Sequence, residues 1–76
     1  MNQNKRDRIA DIAGVLQEQF EHLTELKEEE EEIQGNRPEN LAESEAAQLS
    51  ETVINNLDSA INDLEALIST LEDVES

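Results

Sequence analysis

Two long runs of apolar residues at alternating three- and four-residue spacing, separated by one break, constrain this chain more than any other feature. The first run passes through Ile9, Ile12, Leu16, Gln19, Leu23, Leu26, Glu30 and Ile33. At 3.6 residues per turn all of these fall on one side of a helix, so the pattern predicts a heptad seam with two polar positions in it. Ala13 and Phe20 widen the seam on one flank and Val15 on the other. The second run passes through Ala46, Ser50, Val53, Leu57, Ala60, Leu64, Leu67, Leu71 and Val74, with Ile54, Ile61 and Ile68 repeating every seven residues beside it. Its apolar face is therefore broader than one neighbouring helix can cover.

The break is Gln34-Gly35-Asn36-Arg37-Pro38-Glu39-Asn40. Gly35 offers a left-handed helix cap, and Pro38 cannot continue a helix from the preceding turn. Beyond it, Asn36 with Glu39, Asn40 with Glu43, and Ser44 with Glu45 are candidate N-terminal caps, so a short turn is expected before the main second run. These signals predict helix 1 over about 5–34, a connector over about 35–43 and helix 2 over about 44–75, as a single domain spanning 1–76. Each helix is roughly 45 Å long at 1.5 Å per residue. Equal lengths and a short link imply an antiparallel helical hairpin, hence an all-α fold.

In such a hairpin Lys5, Arg6 and Arg8 come alongside Glu72, Asp73 and Glu75, which offsets the unfavourable placement of each set against its own helix dipole. Glu30 is expected near Leu49 and Ser50. A two-helix hairpin has little interior, so something further must cover the Ile54, Ile61 and Ile68 stripe. The expected cover is a second copy, with Phe20, Ile54, Ile61 and Ile68 forming the interface of a homodimeric four-helix bundle.

Composition limits the chemistry. The chain has 76 residues with 20 Asp and Glu against 5 Lys and Arg, a net charge of -15, and no Cys, Trp or Tyr. Such charge would signal disorder but for the helical periodicity of the 36% of residues that are hydrophobic. Thiol chemistry, thiolate metal sites and aromatic stacking platforms are ruled out. The apolar stretches are too short to span a bilayer, and the charged start MNQNKRDRIADIAG lacks a following apolar core, so no secretory signal is read and a cytoplasmic location is expected.

His22, the one histidine, is flanked by Glu18, Glu21 and Glu25, but position 19 is Gln19 and no second histidine completes the Glu-x-x-His pairs of a di-metal bundle. It reads as a flanking surface residue. Ser50, Thr52, Ser59 and Ser69 have no neighbouring histidine and no Gly-rich oxyanion turn, so nucleophilic catalysis is not supported. No catalytic residue, metal ligand or cofactor is expected, and the chain is read as a non-enzyme.

The dominant surface feature is acidic. Glu28, Glu29, Glu30, Glu31 and Glu32 are consecutive, with Glu25 a turn earlier and Glu18 and Glu21 before that. Consecutive carboxylates radiate around a helix and make a poor metal cage, without the spacing of a calcium loop. Residues 1–17 carry three bases and two acids, and 18–76 carry two bases and 18 acids, so the negative charge lies away from the start of the chain. Direct nucleic-acid binding is opposed by this charge. The natural partner of such a rod is a protein with a basic cleft.

The basic start, the Glu-rich helix ending EEEEEIQ, the connector NRPENLAES and the repeat INNLDSAINDLEALISTLEDV together resemble small acidic helical-hairpin accessory proteins of phages and mobile elements. Its most distinctive piece is Pro38-Glu39-Asn40-Leu41 followed by Ser44. The resemblance implies a phage or mobile-element protein in the host cytoplasm. In size and charge the chain is also similar to phage-encoded inhibitors that occupy the nucleic-acid sites of host nucleases, CRISPR effectors and polymerases. The functional expectation is an inhibitor whose acidic face, Glu18, Glu21, Glu25 and residues 28–32, mimics nucleic acid. The alternative is a structural or adaptor coiled-coil module that assembles through the apolar stripe of helix 2.

Overall fold

Asn2 starts the first helix by lending its side-chain oxygen to the backbone N–H of Lys5 at 2.9 Å. In the computed structural model, which describes residues 2–75 and side chains as far as Val74, helix α1 runs Gln3–Gly35. Its last turn closes when the N–H of Asn36 reaches the carbonyl of Glu32 at 3.0 Å. Gly35 does not take the left-handed conformation expected of it, because no residue among those described has a positive φ. The chain leaves instead through Asn36 in a right-handed conformation (φ -91°, ψ 0°) and an extended Pro38 (φ -57°, ψ 146°). Proline disfavours helix in the residue before it and has no N–H to give, so the break needs no glycine cap.

A single 3₁₀ turn, Glu39–Leu41, follows, and helix α2 then runs Glu45–Glu75. Among the candidate caps Ser44 holds the start of α2, its Oγ accepting from Ala47 N–H at 3.2 Å. The helices pack along their whole length as an antiparallel hairpin, a rod of 60 × 14 × 13 Å. No strand occurs among the described residues.

The seam differs from the expected one by a rotation of each helix. The α1 positions withdrawn from solvent are Arg6, Ile9, Ala13, Leu16, Phe20, Leu23, Thr24, Lys27, Glu30 and Gln34; in α2 they are Ala47, Ser50, Ile54, Leu57, Ile61, Leu64, Ile68 and Leu71. Thr24 beside Leu23 apart, both sets keep three-four spacing. The lines Ile9, Leu16, Leu23, Glu30 and Ser50, Leu57, Leu64, Leu71 are where they were expected. The second line of each seam, however, is the neighbouring one.

Ile61 is 8% exposed and Ile68 6%, both buried inside a single hairpin with Ile54 and Phe20 half-buried beside them. These four residues are therefore core positions of the protomer and do not form the outward oligomer interface assigned to them. The reason is burial: three isoleucines remove more apolar surface from water than Val53, Ala60 and Leu67 would in their place. On α1 the chosen line looks poorer, since Ala13, Phe20, Lys27 and Gln34 replace Ile12, Gln19, Leu26 and Ile33. Of its polar members, Lys27 and Gln34 find partners across the seam, whereas Arg6 at the start of the line keeps its Nε buried without a hydrogen bond.

Candidate interaction surfaces

Polar side chains close the connector half of the seam. Gln34 donates from Nε2 to the carbonyl of Ala47 at 3.1 Å and accepts at Oε1 from Arg37 Nε at 3.1 Å. One turn earlier Ser50, only 5% exposed, donates its hydroxyl to Glu30 Oε1. This is the neighbourhood expected for Glu30, and it turns that carboxylate inward. One turn earlier again, Lys27 Nζ lies 2.9 Å from Asp58 Oδ1 and 4.0 Å from Glu31 Oε1. The hydrogen bond that Lys27 donates to Asp58, with the nearby charges of Asp58, Glu31 and Glu28, holds the Lys27 ammonium above its ordinary pKa.

This seam divides the rod into surfaces of different character. The back of α1 is acidic: Asp11, Glu18, Glu25 and Glu32 recur every seven residues, with Asp7, Glu21 and Glu28 on the adjoining line to one side and Glu29 on the other, all exposed. Of the eight carboxylates assigned to one acidic face, Glu18, Glu21, Glu25, Glu28, Glu29 and Glu32 stand on that back. Glu30 is corrected to a seam position, and Glu31 lies on the flank beside Lys27. Residues 28–32 thus spread around the helix because each step turns about 100°.

On the flank that holds Lys27, α2 presents a second acidic line that the residue-by-residue reading passed over. Glu51, Asp58, Glu65 and Glu72 are exposed at every seventh position. The seven-residue repeat itself was the available signal. Lys27 meets this line through Asp58.

The opposite flank carries a single charge along its central lines, Lys5 at the free end of α1. In an antiparallel pair the positions one residue before each first seam line meet on the same side. These are Ile12, Gln19, Leu26 and Ile33 of α1 and Ala46, Val53, Ala60, Leu67 and Val74 of α2, all exposed. Ile33 is 55% and Leu26 52% accessible. The residues expected to face each other across the hairpin form a largely apolar face on its outside, interrupted by Gln19 and bordered by Val15 and Leu49. Near the free end of α1 this side has a shallow groove lined by Lys5, Arg8, Ile9 and Ile12.

His22 is exposed on the border of this face. No group of three or more His, Asp or Glu residues is arranged to hold a metal ion among the described residues, and no described helix is long and apolar enough to cross a membrane. Comparison with protein-family models, with curated proteins and with solved structures gives no match. Function is therefore read from the surfaces themselves.

Proposed function

We propose that the protein is a non-catalytic inhibitor, a phage or mobile-element accessory protein, that docks its acidic surface into the basic nucleic-acid-binding cleft of a host defence or nucleic-acid-handling protein. The observation that carries this reading is linear charge density. A net charge of -15 along a 60 Å rod is about one charge per 4 Å. A nucleic-acid strand carries one per roughly 3.4 Å of axis. The charge is ordered along the rod, since the Asp11-to-Glu32 and Glu51-to-Glu72 lines place carboxylates roughly 10.5 Å apart on straight helices.

A basic cleft that holds a phosphate backbone presents Lys and Arg at spacings such a rod can meet, and rigid helices carry the carboxylates there with little loss of freedom on binding. Capture of a nucleic-acid-handling protein from host lysate tests the reading. Binding at low salt, release near 0.5 M salt and competition by nucleic acid are expected, with loss on Glu25→Lys, Glu28→Lys and Glu32→Lys together. Retention of the partner by that triple variant overturns it.

The apolar flank favours a second reading, an adaptor that joins a larger assembly through apolar contacts. Partner binding would then survive high salt and the triple charge reversal, and would be lost with Leu26→Lys or Leu67→Lys.

A further inference from the structure

We propose that the apolar flank pairs with a second copy of this chain, the two rods running in opposite directions with their twofold axis at Gln19 and Ala60. The inference goes beyond the acidic-surface reading and does not depend on it. It rests on the symmetry of the face about its own midpoint and on charge.

Gln19 lies at the middle of α1 and Ala60 at the middle of α2, and the antiparallel register places them at the same level of the rod. A twofold axis crossing the rod there lays α1 on α1 and α2 on α2 of the second copy. Ile12 then meets Leu26 of the other chain, and Val53 meets its Leu67, each contact occurring twice. The interface is self-complementary, as a closed dimer requires. At the axis the two Gln19 amides face each other, and each carries both a donor and an acceptor, so they satisfy one another. The small Ala60 lets the two α2 helices approach.

Ends match as well. The same rotation brings Ile33 of one copy over the groove lined by Lys5, Arg8, Ile9 and Ile12 of the other. Arg8 comes level with Glu29 of the second copy on the bordering line, so the basic start of each α1 covers the acidic end of the other. The alternative twofold, with both connectors at one end, sets Gln19 against the methyl group of Ala60. It also sets the acidic connector ends of the two copies, with Glu29, Glu32, Glu43 and Glu45, at the same level. That arrangement leaves an amide without a partner and crowds like charges. Opposed rods also raise the charge to about one per 2 Å of a 60 Å length, close to the roughly 1.7 Å of a duplex.

The test uses the absence of cysteine from the chain. Sedimentation equilibrium of the unmodified protein is expected to give twice 8.6 kDa. Gln19→Cys, at an exposed position, is expected to form a disulfide-linked dimer under mild oxidation with its helical circular dichroism unchanged. Ile33→Cys alone is expected not to, since two Ile33 residues stand at opposite ends. Leu26→Lys is expected to raise the dimer dissociation constant at least about 100-fold while leaving the hairpin helical, because two charges enter an apolar interface. A protein that is monomeric at all concentrations, or a dimer in which Ile33→Cys cross-links and Gln19→Cys does not, overturns the proposal.

Discussion

Lys27 Nζ and Asp58 Oδ1 meet at 2.9 Å across the hairpin, joining a seam position of α1 to the acidic line of α2. Because Lys27 has a pKa above its ordinary 10.5 in the folded chain, its contribution to stability is fully present below that value and is lost as pH rises through the higher folded one. Thermal melts of the native protein and Lys27→Met are expected to differ at pH 7 and to converge at strongly alkaline pH. A difference that stays constant across that range would assign the effect to packing of the lysine stem.

Ser50 and Glu30 form a coupled pair in the same seam. Ser50→Ala leaves an inward-facing carboxylate oxygen without its donor and is expected to cost about 1–3 kcal/mol. The double substitution Glu30→Leu with Ser50→Ala replaces both polar groups with apolar ones and is expected to recover most of that loss. Urea unfolding of the single and double variants measures the coupling.

The register assigns unequal costs to neighbouring residues. Ile61→Ala, in the buried line, is expected to destabilise the hairpin by about 2–5 kcal/mol. Val53→Ala, on the exposed flank, is expected to change the stability of an isolated hairpin by no more than about 0.5 kcal/mol. Denaturation at low protein concentration distinguishes the two, and equal costs would mean that the helices are rotated differently.

Ser44 supplies the side-chain cap of α2. Ser44→Ala is expected to cost about 1 kcal/mol and Ser44→Asp to preserve stability. Amide hydrogen exchange in the first turn of α2 reports the loss locally, with faster exchange expected in the alanine variant.

With 20 acidic against 5 basic residues, the folded rod is under like-charge repulsion. Raising salt from 0.1 to 1 M shortens the screening length from about 10 Å to about 3 Å and is expected to raise the melting temperature. A fall in melting temperature would mean that the Lys27 ion pairs outweigh the repulsion between the acidic lines.

Much of the architecture is legible in the sequence. Three-four spacing on either side of Pro38 places both helices to within two residues, and the short connector dictates their antiparallel return. The outward back of α1 is legible too, since Glu18, Glu25 and Glu32 repeat in step with the helix. The inward turn of Glu30 is half-legible: its place opposite Ser50 follows from the hairpin, whereas the hydrogen bond depends on the seam.

What sequence periodicity could not choose was which of two adjacent lines each helix buries. Lines through Ile12 and Ala13, or through Val53 and Ile54, flank the same central line, and a turn of the helix by about 50° about its axis changes which of the two is buried. Each helix alone accepts either choice. The pair does not, because the isoleucines of α2 bury more surface inside, and Lys27, Glu30 and Gln34 then find Asp58, Ser50 and the Ala47 carbonyl opposite them. The sequence by itself determined two helices, their break and their charge. Only the tertiary structure decided that Ile54, Ile61 and Ile68 are core and that Ile12, Leu26 and Ile33 face outward, because burial and polar pairing across a seam are properties of two helices together.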